Sequence, residues 1–382
     1  TDSRRSFFRD AFIQSLADPE RLDLQKSRPC AAYINGEYYG IYNIRTLYSE
    51  EYIGERYHMD PQDVVIIKNP SGGIGDEIEE GLIGDEMPFN KLYRFIEQND
   101  MSIKANYEYV NTQIDIDNYI EYNILEIFCG NEDWPANNVR IWRKRTPRYI
   151  PDAPYGHDGR WRWLIFDLDY GFGLFDKSHS KDTLKMATEV SSSAWNNPPW
   201  STMMLRQLLT NNAFRTKFIS RFCDLLNSSF REEYVTERLD AMQRLYQPYV
   251  PEHIKRWNLF REDIERWIGE VEIIKDYVRH RPNSVRNHIR KYFNLSAPVE
   301  LKLKKSGGGV IILNSLTIAS PDWDGLYFRE IPVTLEAVSE AGYRFIGWKG
   351  TAIDSKHPLL TINLAADTEI EAVFSKEAGD EN

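Results

Sequence analysis

Cysteine is scarce in this chain. Cys30, Cys129 and Cys223 stand far apart and form no C-x-x-C pair. Neither a zinc cage nor a disulfide framework is therefore indicated. The seven histidines are isolated, with no H-x-x-x-H pair, which argues against a zinc hydrolase. No apolar run reaches the roughly 18 residues that a membrane-spanning helix needs. No signal segment opens the chain, and its start at Thr1-Asp-Ser-Arg without Met reads as a processed or truncated piece. Lys and Arg number 47 against 58 Asp and Glu, a net charge of −11, and they form no dense basic stripe. Nucleic acid is accordingly not expected as a partner.

What the chain does have is apolar and aromatic bulk. Hydrophobic residues make up 42% and aromatics 13%, including 10 Trp and 22 Tyr. That suffices for sizeable cores, and 382 residues suggest more than one domain. The most informative segment is Gly130-Asn-Glu-Asp-Trp-Pro-Ala-Asn-Asn138, with Asp133 five positions before Asn138. In a kinase catalytic loop an Asp at this spacing accepts the proton of the attacking hydroxyl and the Asn ligates a metal. By itself D-x-x-x-x-N is common in loops. It gains weight from Trp161-Arg-Trp-Leu-Ile-Phe166, which reads as a buried strand running into Asp167-Leu-Asp169-Tyr-Gly-Phe-Gly173. Such a strand delivers carboxylates into a Gly-rich turn, as Mg²⁺ on a nucleotide requires. Asp169-Tyr-Gly171 has the D-F-G form with Tyr for Phe. Upstream, Asp63-Val-Val-Ile-Ile-Lys68 ends an apolar strand on a lysine able to reach phosphate oxygens, or simply on a solvated terminus.

Taken together, Asn35-Gly-Glu-Tyr-Tyr-Gly-Ile-Tyr-Asn-Ile-Arg45, Asp115-Ile-Asp-Asn-Tyr-Ile-Glu-Tyr122, the 130–138 block with Trp142-Arg143, and Trp163 to Gly173 closely resemble the spore coat protein H (CotH) kinase family over roughly residues 1 to 295. The resemblance implies an atypical, secreted, protein-kinase-like fold that binds ATP with Mg²⁺. It implies Asp133 as the catalytic residue and Asp167 or Asp169 as metal ligand. It also implies native structure before Thr1 and an extracellular or cell-surface location. Two departures stand out: no G-x-G-x-x-G precedes Lys68, and no His-Arg precedes Asp133.

The expected fold class is α+β, with two kinase-like lobes and a small all-β appendage. Asn35-Gly36 between apolar runs predicts a hairpin. With Val64–Ile67 it would make a small antiparallel N-lobe. The Gly-rich, acidic stretch Ser71 to Gly84 reads as a loop. Helices are expected over Phe7–Leu16, Pro88–Gln98 and Asp117–Phe128, the last apolar nearly all round and hence buried. Glu121 and Glu126 lie on it. Either could pair with Lys68, although a solvated Glu is the simpler expectation. From Ser201 the chain turns helical, with a last helix capped at Pro282-Asn-Ser284. His280, Arg281, Arg286, His288, Arg290 and Lys291 read as a solvated basic face. Composition shifts near Leu295-Ser-Ala-Pro298. The domains are then 1–296, kinase-like; 299–375, a small β-repeat module; and 376–382, a polar tail. Within the module Trp323 is the aromatic most open to a glycan.

The function expected is transfer of the ATP γ-phosphate to a protein hydroxyl, or to the chain itself. Lys68 would touch the phosphates. Asp169, Asp167 and Asn138 would hold Mg²⁺. Asp133 would position the acceptor. The alternative is a catalytically weak pseudokinase scaffold acting as a surface adhesin or glycan binder. A third option on residue types alone is a glycosidase using Asp133 and Asp167 as its carboxylate pair.

Overall fold

A computed structural model describes residues 2–70, 77–175, 178–350 and 353–377. It divides the chain into two compact units, Thr1–Arg215 with Glu232–Val285, and Thr216–Arg231 with Arg286–Asn382. The mixed α+β class expected from sequence is observed.

The first unit opens with α1 (Arg9–Gln14), a short helix buried along its whole length. β1 (Ser27–Ile34) and β2 (Glu37–Arg45) follow as an antiparallel hairpin. Its turn sits at Asn35 and Gly36, both with positive φ, as a two-residue hairpin loop requires. After α2 (Glu50–Tyr57) comes β3 (Val64–Lys68), then β4 (Glu77–Glu80). Here the sequence expectation is corrected. The hairpin keeps to its own two-stranded sheet, and β3 joins a separate four-stranded sheet in the order β4-β3-β5-β6. In that sheet β5 is Arg140–Lys144 and β6 is Arg162–Leu164. Val64 to Ile67 are buried on both faces because β3 is a central strand with a packed layer on each side. One of those layers is a core of Tyr48, Ile53, Met59, Val64, Ile66, Trp142 and Leu164. The expected loop over 71–84 is also revised: Glu77 to Glu80 pairs with β3, while 71–76 lies outside the described residues.

Helices complete this unit: α3 (Met87–Gln98), α4 (Lys104–Asn111), α5 (Ile116–Cys129), α6 (Thr183–Ala187), α7 (Pro199–Leu208), α8 (Asn212–Leu226), α9 (Glu232–Tyr246), α10 (Val250–Trp257) and α11 (Ile264–Tyr292). The division between the units falls inside α8 and α11. α5 is capped at its start by Asp115, whose Oδ1 accepts from Asn118 N at 3.3 Å, and at its end by left-handed Gly130. Nearly every residue of α5 is buried. α11 runs unbroken through Pro282, which does not start a new helix as expected.

The second unit carries two sheets. One has the order β10-β7-β15-β12-β13 and the other β14-β11-β8-β9. The strands are β7 (Val299–Ser306), β8 (Gly309–Leu313), β9 (Leu316–Ile318), β10 (Asp322–Tyr327), β11 (Val333–Ser339), β12 (Tyr343–Gly350), β13 (Ile353–Ser355), β14 (Leu359–Ile362) and β15 (Thr368–Lys376). The all-β character expected of this C-terminal region is observed. Trp323 is half-buried beside the Tyr327 ring, 6.4 Å away, rather than standing open. Of the expected polar tail, residues 378–382 lie outside the described set.

Candidate functional site

The segment 130–139 hangs from the end of α5. Its backbone is held at the root by Asn131, fully buried, which donates Nδ2 to Glu126 Oε2 at 2.9 Å and accepts from Asp133 N through Oδ1 at 3.0 Å. Burial pushes the Glu126 carboxyl up to about 8. At neutral pH it is held largely as the acid. Neither Glu121 nor Glu126 is solvated, contrary to expectation; both are at most 2% exposed. The ion-pair partner of Lys68 is Glu77, at 3.5 Å.

Asp133 is clamped from two sides. Asn137 donates Nδ2 to one carboxylate oxygen at 3.0 Å and Asn138 donates Nδ2 to the other at 2.9 Å. Asn138 has φ +58°, a left-handed conformation that Asn tolerates better than most residues. Trp134 is buried and turns its ring toward Tyr122, 6.3 Å away. Asn69 secures the far end of the segment, donating its N to Val139 O at 2.7 Å. This joins the strand end that bears Lys68 to the segment that bears Asn138, and Lys68 pairs in register with Arg140. Arg140 in turn lies 3.5 Å over the Phe166 ring, next to Asp167, and pairs with Glu79 at 2.6 Å.

Asp167 also has a positive φ, +55°. That is an uncommon conformation for a non-glycine residue, and such strain gathers at functional sites. Its carboxyl is pushed up to about 6, first by burial and then by the charges of Asp169, Asp10 and Asp133. Asp169 accepts from Asp2 N through Oδ2 at 3.1 Å. Between them, Leu168 N donates to Asp10 Oδ1 at 2.7 Å, and Asp10 pairs with Arg45. The turn is therefore pinned by α1. It is pinned again at Gly171, where an added Cβ would meet Ile13 Cδ1 at 2.9 Å and Cys129 O at 3.1 Å.

Asp167 and Asp169 open onto a cleft of about 630 Å³ whose walls also include Arg9, Arg45, Tyr42, His253 and Trp257. The volume suits a small-molecule ligand. Burial lowers the His253 pKa, and its Nδ1 accepts from Ile41 N at 2.9 Å, so the neutral ring carries its proton on Nε2. Lys68, Asp133 and Asn138 are not among these walls. Among the described residues no group of three His, Cys, Asp or Glu side chains could hold a metal ion. A metal here would rest on the two carboxylates of Asp167 and Asp169, with the remainder supplied by water or ligand oxygens. That is the hard-oxygen pattern Mg²⁺ accepts.

Sequence reasoning missed Asp10, Arg9, Arg45 and Arg281. Arg281, expected on a solvated face, is fully buried and donates to the carbonyls of Ile127, Phe128, His179 and Lys181. The same correction applies to Arg286, half-hidden in the second unit, which donates to Leu226 O at 3.0 Å. Only Arg45 carried any signal, as the last residue of the N-G-E-Y-Y-G strand.

The profile described as CotH kinase protein matches residues 1–285, and that of the divergent InlB B-repeat domain matches 324–378. Over 180 residues the chain is 21% identical to the inner spore coat protein H of Bacillus subtilis (strain 168). That alignment spans 47% of this chain and 43% of the relative's length. No helix among the described residues is long and apolar enough to cross a membrane. With three quarters of its length under one family profile, the chain belongs to the CotH kinase protein family.

Proposed function

We propose that this protein transfers the γ-phosphate of ATP, with Mg²⁺, to a hydroxyl of a protein acceptor or of its own chain. The observation that supports the reading is a doubly clamped Asp133 whose charge acts on Asp167, one of two aspartates that face a cleft of about 630 Å³. Asp133, with both carboxylate oxygens already fixed by amide donors, is a base of defined direction for an acceptor hydroxyl. Asn138 turns Nδ2 toward Asp133, which leaves the Oδ1 end as the donor atom for a cation. Asp169 and Asp167 are the carboxylates that would hold Mg²⁺, which when bound neutralises phosphate charge during transfer. Lys68 is assigned to the phosphates, with Glu77 as its resting partner.

The kinase-like two-lobe arrangement, the domain limits 1–296 and 299–375, and an extracellular or cell-surface location belong to this proposal. The spore-coat relative and the B-repeat match favour the location. A second reading, a pseudokinase scaffold working in adhesion or glycan binding, draws on the same B-repeat match.

Thermal shift with ATP and MgCl₂ is the direct test. The reading expects stabilisation that a chelator abolishes and that Asp169→Asn or Asp167→Asn weakens. Transfer of labelled γ-phosphate to the protein or to added polypeptides should follow. Stabilisation by oligosaccharide but not by ATP would favour the second reading.

A further inference from the structure

Among the described residues of the first unit, six buried guanidinium nitrogens lack an acceptor, and three of them belong to two neighbouring arginines: Nη2 of Arg9, and Nε and Nη2 of Arg45. Both arginines line the cleft onto which Asp167 and Asp169 open. The Arg9 side chain is fully buried. It gives Nε to Asp2 Oδ1 at 3.2 Å and Nη1 to the carbonyls of Phe172 at 2.7 Å and Gly171 at 3.3 Å. Arg45 gives Nη1 to Asp10. Each arginine thus has one carboxylate against it. What the remaining groups want is acceptors rather than charge. Buried donors without acceptors are rare in folded proteins and call for an explanation. A guanidinium fork matches the oxygens of an oxyanion in both spacing and charge.

We propose that Arg9 and Arg45 form an oxyanion site in this cleft and that its ligand is a phosphate group. Three donors suit the several terminal oxygens of a phosphate better than the two of a carboxylate. The negative wall made by Asp167 and Asp169 is not an obstacle if a divalent cation lies between it and the phosphate. The proposal rests on the nucleotide reading only for what carries the phosphate.

Isothermal titration with pyrophosphate in MgCl₂ tests the site on the intact chain. Wild-type protein should bind, and Arg45→Gln should weaken binding by about tenfold or more, the scale of one lost charge-assisted hydrogen bond. Arg45→Lys keeps a cation beside Asp10 but lacks the unpartnered N–H groups. It should weaken binding in the same direction while its circular dichroism melt stays close to wild type. Arg28→Gln, on exposed β1, should change little and so controls for general charge. Equal pyrophosphate binding by wild type, Arg45→Gln and Arg45→Lys overturns the proposal, as does no binding by wild type. The two readings fail separately. ATP binding that ignores Arg45 sinks the oxyanion site alone. Arg45-dependent pyrophosphate binding without ATP binding supports the oxyanion site and sinks the nucleotide reading.

Discussion

Asn138 donates Nδ2 to the Asp133 carboxylate at 2.9 Å, closing the loop from 133 to 138 on itself. The bond ties the orientation of the candidate base to the amide that would meet the metal. Asp133→Asn keeps the shape but removes the charge. Phosphotransfer should fall by roughly 10²–10⁴-fold, the usual contribution of a general base, with little change in ATP affinity. Asn138→Ala should differ by weakening nucleotide binding as well as turnover. A folded Asp133→Asn protein with wild-type turnover would rule out the role given to Asp133.

Arg281 is the second anchor of that loop. Its guanidinium donates to Phe128 O at 2.8 Å, Ile127 O at 2.6 Å, Lys181 O at 2.7 Å and Thr183 Oγ1 at 2.6 Å. Two of these are end carbonyls of α5, where a cation is also favoured by the helix dipole. Lys181 pairs with Glu132, the residue just before the loop. Arg281→Met leaves these buried acceptors without donors and should cost ~3–5 kcal/mol in chemical denaturation. A loss under about 1 kcal/mol, the scale of a surface change, would show that Arg281 is not an anchor.

Glu126 should make stability depend on pH. Its pKa in the folded protein is raised by burial from 4.5 to about 8. The folded state therefore holds more protons than the unfolded chain between those values. The contribution is fully present below pH 4.5 and is lost as pH rises through 8, at up to about 1.4 kcal/mol per pH unit. Glu126→Gln retains an acceptor for Asn131 but cannot titrate. Its denaturation free energy should fall less steeply than wild type between pH 5 and about 8. Parallel curves for the two proteins would contradict the assignment.

In the second unit Asp224 is fully buried, and burial raises its pKa. It accepts from Asn314 Nδ2 at 3.0 Å, Tyr327 Oη at 2.9 Å and the Ser315 hydroxyl. Tyr327→Phe should cost about 1–3 kcal/mol, the penalty for an acceptor left unsatisfied. A chain ended at Ser296 removes all three donors at once. With the domain limit proposed at that point it should still fold and melt cooperatively, at a lower temperature than the full chain; loss of soluble protein would overturn the limit.

Features that depend on neighbours in the chain were legible in the sequence. Asn35-Gly36 makes its hairpin because both residues tolerate positive φ, whatever surrounds them. α5 was readable because a helix apolar on nearly every side has nowhere to go but inside. The C-terminal β-module was readable from the shift in composition near Leu295-Ser-Ala-Pro298 and the short apolar runs broken by Gly, Pro and Asp beyond it. Only the tertiary structure decided which strand Val64–Lys68 would join, since β3 and β5 are brought together by burial of Ile66 and Trp142 rather than by any local signal. The same holds for charge. Glu126 and Arg281 look like solvent residues in a helical pattern, yet both are buried, because what fixes a polar side chain inside is a set of distant partners that it alone can satisfy. Arg9 and Arg45 line one cleft for the same reason: α1 and the end of β2 meet there through Asp10, a contact that sequence spacing does not encode.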